Sequence, residues 1–150
     1  MTALLVVHHT PSPGARELLE AVLAGTRDPQ ISGVEVTVRP ALAATVPDML
    51  AADGYLFGTP ANFGYMSGAL KHFFDTVYYP VMDHVAGRPY GLWVLGNNDT
   101  AGAVASVERI TGGLGLTKAA DALEVTGAID AAARARAHEL GATLAATLME

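Results

Sequence analysis

Three short stretches of this sequence collect residue types that hold ligands better than they build a core. The first, His9-Thr10-Pro11-Ser12-Pro13-Gly14-Ala15, leads from an apolar run straight into a helical pattern. Hydroxyls beside a helix N-terminus make an anion cradle, because the first amides of a helix lack intrahelical partners and carry partial positive charge. Pro11 and Pro13 have no N–H, so the available donors are the Ser12, Gly14, Ala15 and Arg16 amides with the Thr10 and Ser12 side chains. The same residues also fit a plainer arrangement, with Ser12 as an N-cap and Pro13 at the first helical position.

The second stretch is Thr59-Pro60-Ala61-Asn62-Phe63-Gly64-Tyr65-Met66. Thr-Pro is expected to stop the preceding apolar strand, while Asn62 and Gly64 permit a tight or left-handed turn. Phe63 and Tyr65 put aromatic rings on that turn, where a flat ligand ring could stack and backbone amides could meet its polar edge. The alternative is an ordinary strand-to-helix turn with Phe63 tucked into the core. The third stretch, Gly96-Asn97-Asn98-Asp99-Thr100-Ala101-Gly102, is polar and bounded by glycine. It either faces the other side of the same ligand or is a solvated connection in which Asp99 or Thr100 caps a helix.

Other chemistry is poorly provided for. The chain has no cysteine, which excludes disulfides, zinc–thiolate sites, iron–sulfur clusters and thiol nucleophiles. Its five histidines show no ligand spacing beyond adjacent His8-His9, which point to opposite faces of a strand, so no metal site is expected. Gly64-Tyr65-Met66-Ser67-Gly68 is not a nucleophile elbow, and Ser67 reads better as a helix cap. Neither a P-loop nor a G-x-G-x-x-G motif occurs. A phosphoacceptor domain would need acidic residues where His8-His9 and Gly58-Thr59 stand. The formal net charge of −6 argues against nucleic-acid binding. No apolar run approaches the roughly 18 residues of a membrane span. With no basic start typical of a signal peptide, the cytoplasm is the expected location.

The elements that must position these loops alternate along the chain. Ala3–His8 is a continuous apolar run, as in a strand buried on both faces. A helix over Gly14–Gly25 carries Leu18, Leu19, Val22 and Leu23 on one stripe. Val34–Arg39 alternates with period two, the pattern of an edge strand, and a short helical turn follows Pro47. Gly54–Gly58, Pro89–Gly96 and Lys118–Val125 supply three more strands. Helices follow Ser67, span Ala101–Leu114 with Val104, Val107, Ile110 and Leu114 inward, and follow Asp130 with Ala133, Ala137, Leu140, Leu144 and Leu148 inward. The Phe73-Phe74 and Tyr78-Tyr79 pairs leave an apolar surplus that could make a homo-oligomer contact. Strand–helix alternation implies right-handed crossovers and a five-stranded parallel sheet of order 2-1-3-4-5 between two helical layers. Such sheets bind ligands beyond the carboxyl ends of their strands at the switch point, which is where all three stretches fall.

Gly58 to Asp75, G-T-P-A-N-F-G-Y-M-S-G-A-L-K-H-F-F-D, resembles the G-T-P-x-x-F-G-x-M-S-G-x-x-K/R-x-F-x-D signature of the flavodoxin-like NAD(P)H-dependent FMN reductases and quinone oxidoreductases. The likeness extends more loosely over the whole chain. It implies one flavodoxin-like, three-layer α/β domain over residues 1–150 that binds FMN. Thr10, Ser12, Pro13, Gly14 and Ala15 would surround the phosphate. Pro60, Ala61, Asn62, Phe63, Gly64 and Tyr65 would line the ring and ribityl chain, and Asn97, Asn98, Asp99 and Gly102 would flank the ring. The phosphate loop departs from the family's S/T-x-T-G-x-T type at Pro13 and Ala15, which lowers the expected FMN affinity. The implied activity is NAD(P)H-dependent reduction of a quinone or similar small acceptor by hydride transfer through FMN, with no side chain required as acid or base. The alternative is a flavodoxin-type carrier that passes electrons to a protein partner.

Overall fold

Leu4, Leu5, Val6 and Val7 have apolar side chains on both faces, and they form the heart of strand β1 (Thr2–His8) at the centre of a parallel sheet. In the computed structural model, which describes residues 1–150, β1 pairs with β2 (Val34–Pro40) on one side and β3 (Gly54–Asn62) on the other. β3 pairs in turn with β5 (Pro89–Gly96). Helices α1 (Pro13–Thr26) and α5 (Ala131–Thr147) cover one face through Leu18, Val22, Ala137 and Leu144. Helices α2 (Val46–Ala51), α3 (Gly68–Val81) and α4 (Thr100–Gly113) serve the other core, which contains Met49, Phe73, Phe74 and Val107. The sheet alternates accordingly: Leu5 and Val7 join the second core, Leu4 and Val6 the first.

β2 lies at the sheet edge, as its period-two pattern predicts. The fifth strand is not continuous. β6 (Thr117–Lys118) and β7 (Leu123–Thr126) both pair with β5, separated by Ala119-Ala120-Asp121-Ala122. From Tyr90 to Trp93 β5 advances three residues while its partner advances five, from Lys118 to Leu123, so the excess must leave the ladder. Skipping the two-residue strands, the order is β2-β1-β3-β5-β7, the predicted five-strand sequence.

The predicted caps are in place. Ser67 Oγ accepts the Leu70 amide at 3.2 Å, and Asp130 Oδ1 accepts that of Ala133 at 2.8 Å. Val104, Val107 and Leu114 are buried, whereas Ile110 is only partly so. Phe73 and Phe74 are core, packed against Phe57, while Tyr79 stands in solvent.

A pair of side chains ties α5 to the turn after α1: His138 Nε2 lies 3.2 Å from Asp28 Oδ2. The Gln30 amide, donating to Asp28 Oδ1, and then His138 hold the Asp28 carboxyl below its ordinary value of 3.8. A carboxyl depressed by folding stabilises the fold above its unfolded pKa, and that contribution is lost as pH falls through the folded value. Asp28→Asn is therefore expected to flatten the acid limb of the stability curve below about pH 4. Thermal melts from pH 3 to 7 check this. Parallel acid limbs in the two proteins would contradict it.

Candidate functional site

The first two loops leave from neighbouring strand ends. His8 of β1 is in register with Gly58 of β3, and the His9 amide donates to the Gly58 carbonyl at 3.0 Å. This is the switch point, because β1 is continued by α1 on one face while β3 is continued by α3 on the other.

In the first loop, Ser12 is the N-cap of α1, with Pro13 at the first position. Its Oγ accepts the Ala15 amide at 3.2 Å and its carbonyl accepts the Arg16 amide at 3.0 Å. Two of the four amides expected to face an anion are thus engaged inside the turn. The N–H groups of Ser12 and Gly14 remain, with the Ser12 hydroxyl. Thr10 Oγ1 is 2.7 Å from His8 Nδ1. A cleft of about 350 Å³ is lined here by Thr10, Pro11, Ser12, Pro13 and Arg16.

The Arg16 side chain was not among the expected ligands. A cation in the first turn opposes the helix dipole unless an anion sits between them, and that mismatch is readable in the sequence. Burial, then the charges of His9 and Arg16, holds His8 below its ordinary value of 6.5. The cleft has no carboxylate in its wall and an arginine at its rim, so its chemistry suits a phosphate group.

Thr-Pro does not end the third strand. β3 continues through Thr59 and Pro60, opposite Val94 and Leu95 of β5, to Asn62. β1 stops opposite Gly58, so Pro60 occupies a position with an open edge on that side, which tolerates a missing donor. The segment then folds back as a hairpin, with Asn62 opposite Tyr65 and Ala61 opposite Met66 in β4 (Tyr65–Met66). Phe63 and Gly64 make the two-residue turn with φ of 54° and 70°, as the right-handed twist of a tight hairpin requires.

Phe63 is not tucked into the core; its side chain is wholly exposed. A bulky residue at positive φ is strained, and here the surrounding hairpin geometry imposes it. Thr59 fixes the base of the hairpin, accepting the Ser67 amide at 2.9 Å and donating to the Pro60 carbonyl at 2.8 Å.

The third loop packs directly against this hairpin. Asp99, also left-handed at φ 46°, caps α4 by accepting the Gly102 amide at 3.2 Å. Its carboxylate lies against Gly64, so close that a β-carbon there would overlap Oδ2. Gly102 faces the Gly64 carbonyl with equally little room. Ser106 Oγ accepts the Met66 amide at 3.0 Å, and Thr100 Oγ1 donates to Glu124 Oε1 at 3.0 Å. Gly96 lies against Ala61. Asn97, Asn98 and Asp99 are exposed, as are Asn62 and Tyr65, while Pro60, Ala61, Gly64 and Gly102 are half-buried. The second and third groups of expected residues are therefore in contact. The first, Thr10 to Ala15, lies on the adjoining strand end.

The family model for NADPH-dependent FMN reductase matches residues 16–136, and the chain belongs to that family. A flavodoxin from Aquifex aeolicus (strain VF5) is 33% identical over 88 residues, which cover 59% of this chain and 46% of that protein. "Probable NAD(P)H dehydrogenase (quinone) FQR1-like 2" from Arabidopsis thaliana is 29% identical over 89 residues, 59% of this chain and 29% of that one. The chain thus spans less than half the length of either relative. Among solved structures, a flavodoxin from the domain Archaea superposes with a TM-score of 0.82 over 97% of this chain and 98% of its own, at 15% identity. That likeness establishes the flavodoxin-like fold. No helix is long and apolar enough to cross a membrane.

Proposed function

We propose that this chain is a single FMN-binding domain that uses NAD(P)H to reduce a quinone or similar small acceptor. The observation that carries the reading is the strained, exposed hairpin Asn62–Tyr65 locked through Gly64 onto Asp99 and Gly102 at the switch point. Thr10, Ser12, Pro13, Gly14, Ala15 and Arg16 would hold the phosphate, with Arg16 supplying charge in place of amides spent on the cap. Pro60, Ala61, Asn62, Phe63, Gly64 and Tyr65 would form one wall for the ring, and Asn97, Asn98, Asp99 and Gly102 the other. Bound FMN supplies hydride acceptance and onward electron transfer. The chain's own residues would position the ring between the hairpin and the α4 loop. No side chain here is needed as an acid or base.

Titrating FMN into the purified protein tests this. Saturable one-to-one quenching of flavin fluorescence, followed by bleaching of the flavin band on adding NAD(P)H, is expected. A protein that leaves the flavin spectrum and fluorescence unchanged overturns the reading. The identity to a flavodoxin favours a second reading, a carrier delivering electrons to a protein partner. Steady-state NAD(P)H oxidation with a quinone separates the two, since a carrier binds FMN but does not turn over. A cytoplasmic setting suits either role, as both need a reducing nucleotide or redox partner.

A further inference from the structure

A second cleft, of about 310 Å³, opens between the first loop, the end of β2 and the start of α3 at Ala69. Its polar wall is His8, His9, Thr10 and Arg16; Ala41 and Leu42, from the turn after β2, belong to its apolar side. Not one lining residue is a carboxylate, in a chain with 15 acidic and 9 basic residues. The adjoining cleft at Thr10–Arg16 shares this lack of acid, whereas three clefts elsewhere on the surface carry carboxylates. One carries Asp121 and Glu139, another Asp28 and Glu139, and a third Asp48.

The two imidazoles are also left with unused hydrogen-bonding capacity. His9 Nδ1 is buried without a partner, which is rare for a polar atom in a folded protein and calls for an explanation. His8 spends Nδ1 on Thr10 Oγ1, which leaves Nε2 for another group. Leu42 is 71% exposed at the cleft, where a large apolar side chain gains nothing from the fold itself. One cation, Arg16, with hydrogen-bonding imidazoles on one wall and aliphatic groups on the other match a molecule with one charged end and a compact apolar body.

From this juxtaposition we infer that the His8–His9–Arg16 cleft is a binding site for a small organic anion, a carboxylate or phosphate monoester with an apolar body, adjoining the phosphate loop and sharing Thr10 and Arg16 with it. Its His8, His9, Ala41 and Leu42 lie outside the residues proposed to hold FMN, and only Thr10 and Arg16 are common to both. Sodium benzoate and phenyl phosphate are the probes, titrated separately into the isotope-labelled full chain and followed by NMR. Saturable shifts at the His8 and His9 rings and at the Ala41 and Leu42 amides are expected, with neutral benzamide binding at least about tenfold more weakly. Response to both probes marks a general anion site; response to one assigns the headgroup. Leu42→Glu, at an exposed position, sets a carboxylate at the cleft and is expected to weaken binding at least about tenfold. His9→Gln should weaken it as well. Shifts confined to the Ser12–Arg16 amides, equal binding of benzamide, or indifference to Leu42→Glu would overturn the inference. FMN titration of the Leu42→Glu protein keeps the two questions apart: lost probe binding with unchanged FMN affinity separates the cleft from the phosphate loop, and equal loss of both would overturn the inference.

Discussion

Gly141→Ala is expected to lower the melting temperature by roughly 6–12 °C, the equivalent of about 3 kcal/mol in a domain of this size. Helices usually gain from this exchange, since alanine in place of glycine in a helix is worth about 0.5–1 kcal/mol. Here the sign reverses because α1 and α5 meet backbone to backbone. A β-carbon on Gly141 would overlap the Val22 carbonyl, and one on Gly25 would overlap the carbonyl of His138. Those atoms belong to helices and cannot swing aside as a side chain could. The helices must separate, opening the packing of Leu18, Val22, Ala137 and Leu144. Gly25→Ala should act alike. Gly112→Ala in α4, where a β-carbon meets nothing within 4 Å, serves as the control and should be neutral or slightly stabilising. Calorimetric melts of the three variants decide it, and equal melting temperatures would refute the close-approach argument.

Gly102→Val is expected to weaken FMN binding about 100-fold while leaving most of the stability in place. Its side chain would push on the Gly64 carbonyl and Asp99 Oδ1, prising the hairpin from the α4 loop. The two proposed walls of the ring site would then no longer share one geometry. The hairpin tip is solvent-exposed, and neither buried core includes Phe63 or Tyr65, so little folding energy is at stake. Fluorescence titration gives the affinity, and circular dichroism shows whether the fold persists. Wild-type affinity in a folded Gly102→Val protein would mean that the two loops do not jointly hold the ring.

Much of the scaffold could be read from local signals. Apolar runs marked β1, β3 and β5, helical spacing marked the buried stripes of α1 and α5, and Ser67 and Asp130 announced their caps. Each of these rests on interactions within about one turn or one strand, so residue type and spacing carry it. The far end of β3 was not legible in this way. Thr59-Pro60 has the composition of a stop, yet the ladder to Val94 and Leu95 carries the strand onward. The break in the fifth strand depends on register with β5, a partner more than 20 residues away.

The same division runs through the ligand loops. The sequence by itself determined their composition, their places after β1, β3 and β5, and the family signature from Gly58 to Asp75. Tertiary structure alone decided that Phe63 stands in solvent, that Ser12 spends two amides on its own helix, and that Gly64 touches Asp99 and Gly102. The reason is physical: a loop's residue types set what it can bond, but competition among partners brought close by folding sets what it does bond.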